Sequence, residues 1–463
     1  MRGFVWVWMM LAVGGVMGAQ APSAEERARA GVGAVVKAEV PARELTVRQQ
    51  AARLEGWRQM IRKQLYIPAK LPALAAKTWS TFSPMAGVVA ERVTYRTADG
   101  MVVPAIVYRP DRVTGKLTGK LPGIVVVNGH GGDKFSWYAF YSGMMLAQAG
   151  AMVVTYDPIG EGERNIEKKS RAGSHDAWVD PPAGLARTDW GQRLGGLMQV
   201  DLMQAVSYLA ARPEVDAKRI GVVAYSMGAF IAGITGAIDT RIHAVVLSGG
   251  GVYDGPGGYF DANPLPCQSP VYRALLIQGP GLGLGDRGAV LMALNASRGP
   301  MLVMNGAADK VMDIPRHDAA WFAALRERAV AVRGTEKDMF TTVFFPGIDH
   351  RTSWVDREGV AWLGKELHFA NWDAKAIANA PLTHVSEWAK ENGVDIAKAY
   401  RREEREGGLM AVGTGIPGVT REELMVLPEK DWERLETSLA YEAWAAKMKA
   451  AEAVSAAKGK DGR

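Results

Sequence analysis

RIGVVAYSMGAFIAGITGA, Arg219 to Ala237, changes its period in the middle. Ile220 to Val223 is a short apolar, β-branched run that reads as a strand. Ala224-Tyr225-Ser226-Met227-Gly228 reads as a turn, and small residues from Ala229 onward continue as a helix. A serine at such a strand-to-helix turn is held on a strained tip, with its hydroxyl above the edge of the sheet and small neighbours leaving room for the bend. Ser226 is therefore the candidate nucleophile. The usual pattern is G-x-S-x-G, and here Ala224 occupies the first glycine position, where its methyl narrows the available space. The competing reading is a serine that only caps the following helix.

Partners downstream decide between the two. A serine hydroxyl needs a base to take its proton, and the base needs a third group to orient it. The chain has seven histidines. Of these, His350 in FFPGIDHRT follows the last strand signal, where a loop can return over Ser226. His130, His175, His243, His317, His368 and His384 lack that combination of a post-strand loop and a position after the acid. The acid is expected after the preceding strand. In MLVMNGAADKV, Asp309 sits in the turn after Met301 to Met304. Asp313 is the nearest rival and is expected to cap the next helix instead, and Asp349 is awkwardly adjacent to His350 in sequence. The negative charge of a tetrahedral intermediate needs backbone N–H donors already aimed at it. Met227, just after the nucleophile, is one candidate. His130 is the other, in the VVVNGHGGDK loop whose Gly129, Gly131 and Gly132 let the backbone approach closely.

Around this stretch the chain alternates strand and helix signals, the pattern of an α/β fold with a mostly parallel sheet flanked by helices. Gly123 to Val127, Ala151 to Tyr156, Ile220 to Val223, Ala244 to Leu247, Met301 to Met304 and Thr342 to Phe345 are the strands. Ala139 to Ala149, Gln192 to Ala211 and Pro315 to Arg328 are helices between them. Val88 to Tyr95 and Val102 to Tyr108 flank Ala98-Asp99-Gly100 as a hairpin, and Asp111 to Lys120 is a polar loop. Residues 20–87 read as an N-terminal helical segment, 88–365 as the catalytic domain, and 366–463 as a helical extension that is structural rather than catalytic. Insertions at 157–190 and 249–299 follow strands and so lie at the carboxyl edge of the sheet, as walls or lids over a pocket.

The 463 residues are 48% apolar, enough for a large core, and the net charge of +6 is mild and spread along the chain. Nucleic-acid binding is not expected. Met1 to Ala19, with Arg2, an apolar run from Phe4 to Val16 and Gly18-Ala19, reads as a signal peptide, so the mature protein is expected to be exported, without a stable membrane anchor. The single cysteine, Cys267, allows no internal disulfide. NGHGGDK has neither P-loop nor dinucleotide spacing, and no H-E-x-x-H or paired-cysteine motif is present, so no nucleotide or metal cofactor is expected.

NGHGGDK, YDPIGEGER at Tyr156 to Arg164, DLMQAVSYLAARPEVDAKRIGVVAYSMGA from Asp201 and the PGIDHR loop together resemble the bacterial α/β-hydrolases grouped with acetyl xylan esterases and dienelactone hydrolases. The resemblance spans roughly Val88 to Glu366. RPEVDAKRIG before the elbow also resembles prolyl oligopeptidase-like relatives. The resemblance implies an α/β-hydrolase fold, triad roles for Ser226, Asp309 and His350, and oxyanion positions at His130 and Met227. The chain departs from that pattern at Asn128, where the family commonly has the histidine of an HG pair, at Ala224, and at Ala229. The expected activity is hydrolysis of a small-molecule or carbohydrate ester. Aromatic residues in the insertions (Trp178, Trp190, Tyr253, Tyr259, Phe260) suit the faces of a sugar. A prolyl oligopeptidase-like peptidase is the alternative, disfavoured because the segment before Val88 is too short for a β-propeller. A catalytically silent carbohydrate-binding protein on the same fold is the non-enzymatic reading.

Overall fold

The computed structural model describes residues 45–112, 119–170, 190–251, 286–393, 395, 416 and 418–460. The signal-peptide reading, the tip of the polar loop, His175, Cys267, and Trp178, Tyr253, Tyr259 and Phe260 lie outside these residues, as does the side chain of Trp190.

Among the described residues the strands are β1 (Lys77–Met85), β2 (Val88–Arg96), β3 (Val102–Pro110), β4 (Leu121–Val127), β5 (Met152–Tyr156), β6 (Val215–Tyr225), β7 (Ala244–Ser248), β8 (Met301–Gly306) and β9 (Thr341–Phe345). They form one sheet in the order β1-β2-β3-β5-β4-β6-β7-β8-β9. β1, β2 and β3 are antiparallel to each other and β3 is antiparallel to β5, whereas every pair from β5 to β9 is parallel. β1 is an addition to what the sequence pattern gives for 20–87. Its half-buried positions, Trp79, Phe82, Pro84 and Met85, do not recur at every second residue, because the pairing with β2 shifts register between Thr78 and Ser80 and between Phe82 and Met85. No period-2 apolar pattern therefore marks it as a strand.

The central strands are buried on both faces, and their residues divide by parity between two cores. Val125, Val127, Val222, Ala224, Val245, Leu247 and Val303 face one core. Ile124, Val126, Val223, Tyr225, Val246, Leu302 and Met304 face the other. The helix after β4, α2 (Trp137–Gln148), packs in the second core, and the helix after β6, α4 (Met227–Ile238), packs in the first. The chain therefore leaves two adjacent parallel strands toward opposite faces. That arrangement makes their carboxyl ends the switch point of the sheet, the place where open α/β sheets bind ligands.

Every residue of α4 is buried, as expected of a helix that is apolar all round. Its last carbonyls would be buried without partners, but arginines reach them. Arg298 donates to the Gly236 carbonyl, Arg58 to Ala237 and Arg62 to Ile238, at 3.1, 3.1 and 2.8 Å. Arg58 and Arg62 come from α1 (Val47–Gln64), which is started by a Thr46–Gln49 capping box and buries Leu54, Trp57 and Ile61 at helical spacing. The N-terminal helix thus caps the far end of the helix that carries the elbow, where cationic groups also favour the helix dipole.

The remaining helices are α3 (Trp190–Ala211), α5 (Arg287–Ala296), α6 (Ala319–Arg333), α7 (Arg357–Leu367), α8 (Ala374–Asn379), α9 (Val385–Glu391), α10 (Glu429–Leu439) and α11 (Tyr441–Lys460). α5 packs between α4 and α6, so the end of the 249–299 insertion is an ordinary layer helix rather than a wall over the pocket. α6 starts at Ala319, later than Pro315, because Asp318 is its cap and Asp313 occupies a positive-φ turn before it.

Residues 157–165, at the start of the first insertion, form a buried polar knot. Lys134 pairs with Asp157 and Glu163, and Arg164 pairs with Asp201, all at most a few per cent exposed. The Glu163 carboxylate accepts the Val426 and Leu427 N–H groups at 2.8 and 2.9 Å, and Trp432 Nε1 donates to the Glu163 carbonyl at 2.8 Å. Buried charges persist only when paired and hydrogen-bonded. Burial alone would lower the Lys134 pKa, but Asp157, Glu163 and Asp133 outweigh it and hold the ammonium charged. The C-terminal region is thereby locked to the segment after β5. α7 adds Val360, Leu363 and Leu367 to the second core, and Tyr441 and Trp444 join the first.

Candidate active site

Ser226 has φ 54° and ψ −118° at the junction of β6 and α4. A non-glycine residue in this region carries strain of about 1–3 kcal/mol and is kept there by its surroundings. Its N–H donates to the Ser248 carbonyl and its carbonyl accepts the Ala229 N–H, both at 2.9 Å, so the strand ladder and the first helical turn fix it from both sides. At Gly228 a Cβ would stand 2.5 Å from the Val127 carbonyl oxygen and 2.6 Å from that of Asn128. Only glycine lets the elbow come this close to the end of β4.

The structure brings His350 and Asp309 to Ser226. His350 Nε2 lies 3.0 Å from Ser226 Oγ, and His350 Nδ1 lies 2.7 Å from Asp309 Oδ2. Asp309 follows β8 and is fully buried, and its other oxygen accepts the Val311 and Met312 N–H groups at 2.9 Å each. With Oδ1 committed, Oδ2 is left to accept from His350 Nδ1–H. That bond sets the tautomer with a lone pair on Nε2, facing the serine hydroxyl.

Asp313 and Asp349 are elsewhere. Asp313 pairs with Arg316, and the cap of α6 is Asp318, which corrects the expectation that Asp313 would cap it. The Asp349 side chain is 59% exposed and lies 3.4 Å from Arg351. Among the other histidines, His317 packs edge-on against Trp321 and His368 ends α7.

The turn after β4 lies against the elbow. A Cβ on Gly129 would stand 2.9 Å from Tyr225 Cδ1 and 3.2 Å from Ser226 Cβ. The Gly129 N–H donates to the Tyr138 hydroxyl at 3.0 Å, and the Gly132 N–H to the Gly129 carbonyl at 3.0 Å. His130 stands between them in this turn, and Met227 opens α4 at a helix N-terminus, where backbone N–H groups point outward. Asn128 donates from Nδ2 to the Tyr156 carbonyl at 3.2 Å, tying the ends of β4 and β5 together. Ala229 is accommodated because Gly250 faces it; a Cβ there would be 2.5 Å from the Ala229 methyl.

Several supporting residues carry no motif in the sequence. The Tyr225 ring stacks on His350 with centroids 5.0 Å apart, and its hydroxyl donates to the His350 carbonyl at 3.1 Å. Ser248 Oγ accepts the Ser353 N–H at 2.8 Å, holding the histidine loop to the end of β7. Asn305 exchanges two bonds with the Gly250 backbone at 2.9 and 3.0 Å. His384, the N-cap of α9, accepts the Ser386 N–H at Nδ1, leaving Nε2–H to donate to Ser353 Oγ at 3.0 Å.

Burial, aided by the charge of Arg351 and only partly opposed by Asp349, pulls the His384 pKa down to about 4. The unfolded chain binds this proton near pH 6.5 and the folded chain does not, so stability is lost as pH falls from 6.5 toward 4, by up to ~3 kcal/mol. Asp356, raised to about 7 by burial, acts with the opposite sign over the same window. The clean readout is therefore the difference between proteins. His384→Asn keeps a helix cap and should lose less stability between pH 7 and pH 4.5 than the unmodified chain, measured by urea midpoints. Equal losses would place the titration elsewhere.

Sheet order and elbow define an α/β-hydrolase fold. Comparison with known proteins agrees. The model of the prolyl oligopeptidase family matches residues 187–376. Among solved structures, methylesterase BT1017 is 19% identical with a TM-score of 0.58, over 92% of this chain and 80% of that one. A glucuronoyl esterase from Solibacter usitatus is 16% identical with a TM-score of 0.50, over 72% and 95%. No curated protein matches the chain. Among the described residues no helix is long and apolar enough to cross a membrane, and no cluster of His, Cys, Asp or Glu is placed to hold a metal.

Proposed function

We propose that this chain is an exported serine hydrolase that cleaves carboxylic esters of carbohydrates through an acyl-enzyme. The observation that carries the reading is the His350 imidazole bridging Ser226 Oγ and the buried Asp309 carboxylate. In this reading Ser226 Oγ attacks the ester carbonyl as its proton passes to His350 Nε2. Asp309 stabilises the resulting imidazolium, and the Met227 and His130 N–H groups receive the developing oxyanion. The imidazolium then protonates the leaving alcohol; water, deprotonated by the same nitrogen, attacks the acyl carbon, and that proton passes to Ser226 Oγ as the acyl bond breaks and the acid leaves. Two proteins of like fold bear the names methylesterase and glucuronoyl esterase, and the aromatic residues of the insertions suit a sugar. A proline-directed peptidase is the second reading, favoured by the family match over 187–376.

The test is a substrate panel of p-nitrophenyl acetate, sugar acetates, methyl esters of uronic acids and proline p-nitroanilides. The proposal expects turnover of the simple ester and of at least one carbohydrate ester, with anilides cleaved at least 100-fold more slowly in kcat/KM. Preference for the anilides would favour the peptidase. Turnover of simple esters alone would remove the carbohydrate half. Cell fractionation of the producing bacterium tests export, with the protein expected outside the cytoplasm.

A further inference from the structure

Tyr138 lies near the start of α2, away from the strand-end positions that supply Ser226, Asp309 and His350, and the reaction just described gives it no role. It is almost fully buried, yet its hydroxyl accepts the N–H of Gly129 at 3.0 Å. Gly129 is the residue of the post-β4 turn packed directly on Ser226. The same hydroxyl lies where a Cβ on Gly132 would come within 2.7 Å, so Gly129 and Gly132 both fold around it. The ring meets Tyr225 edge-on at 5.3 Å, and Tyr225 in turn stacks on His350. On its other side the ring meets Trp354 edge-on at 5.9 Å.

We propose that Tyr138 is a positioning residue for the oxyanion-binding turn: by holding the Gly129 amide, its hydroxyl fixes the peptide orientation from which the His130 N–H is presented to the reacting carbonyl. The inference rests on the ester-hydrolase reading. The two peptide planes that meet at Gly129 are each rigid: the Tyr138 hydroxyl holds the first through the Gly129 N–H, the Gly132 N–H holds the second, which carries the His130 N–H, through the Gly129 carbonyl, and together the two bonds fix the otherwise free glycine between them. Removing the hydroxyl costs a buried donor its acceptor, and the turn relaxes to satisfy it. Oxyanion donors work because they are aimed before the charge appears, so a turn that must reorient loses part of its stabilisation of the transition state and little of its hold on the ground state. The aromatic contact to Tyr225 survives replacement by phenylalanine, so the base should stay in place.

The experiment is Tyr138→Phe in the full chain, read by steady-state kinetics on p-nitrophenyl acetate and by inhibition with phenylboronic acid, a mimic of the tetrahedral intermediate. The expected result is kcat lower by about 10- to 100-fold, KM within about twofold, and boronate affinity weakened by a similar factor. Fluorophosphonate labelling should remain confined to Ser226. Unchanged kcat, or a loss of kcat with unchanged boronate affinity, would overturn the proposal. So would a variant that fails to fold, because the hydroxyl would then serve the fold rather than the turn. If the unmodified chain neither hydrolyses esters nor labels at Ser226, the underlying reading fails. An active wild type with an equally active variant defeats this inference alone.

Discussion

Ser226→Ala is expected to lower kcat for a simple ester by about 10⁵- to 10⁶-fold. The variant removes the only atom in the proposed site that forms a bond to the acyl group. What remains is the binding crevice and the backbone donors, which on their own support a residual acceleration of about 10³–10⁴ over water. The fold should be indifferent. Ser226 makes its structural hydrogen bonds through backbone atoms, to Ser248 and Ala229, and alanine keeps both. The left-handed backbone at this position burdens alanine as it burdens serine, so stability should change by less than ~1 kcal/mol. Purified variant and wild type, compared on p-nitrophenyl acetate with circular dichroism as the control, decide the matter. A variant retaining more than about 1% of activity would remove Ser226 from the chemistry.

Asp309→Asn is expected to cost about 10⁴-fold in kcat with nearly unchanged geometry. Asn Oδ1 can still accept the Val311 and Met312 N–H groups now bound by the carboxylate. The amide NH₂ then faces His350 Nδ1, where it donates instead of accepting. The imidazole must carry its proton on Nε2, which presents N–H to Ser226 and leaves nothing to receive the serine proton. Asp309→Ala should also reduce activity, but it adds a cavity and strips two backbone amides of their acceptor, so it should lower stability by ~1–3 kcal/mol as well. The asparagine variant separates the two effects: activity lost, melting temperature nearly kept. If Asp309→Asn keeps more than a tenth of wild-type kcat, another carboxylate orients the histidine.

The parallel half of the sheet is legible in the sequence because its strands are short apolar runs separated by longer helical ones, and because the elbow changes period at one residue. That Ser226, Asp309 and His350 come together is legible in the sequence for a topological reason: each follows a strand, and the carboxyl ends of neighbouring parallel strands must lie together. β1 has no such signature, because two register shifts against β2 break the alternation that a strand with one solvated face would otherwise show. Asp157, Glu163 and Arg164 look like surface charge in the sequence, yet all three are fully buried. Their partners Lys134, Asp201 and the Val426–Leu427 backbone come from distant segments that no local pattern connects. The same holds for Tyr138, Tyr225, Ser353 and His384, whose roles exist only once β4, β6, β7 and α9 are assembled. His384 and Glu163 also show that the C-terminal region does more than decorate the sheet, since one braces the histidine loop and the other is clamped by Val426, Leu427 and Trp432.

The most direct test of the account is covalent labelling of the intact protein with a fluorophosphonate probe, followed by mass spectrometry of the modified peptide. The account predicts one probe per chain, attached at Ser226, with labelling abolished in Ser226→Ala and strongly slowed in Asp309→Asn. Labelling at another residue, or none on a folded wild-type protein, would contradict it.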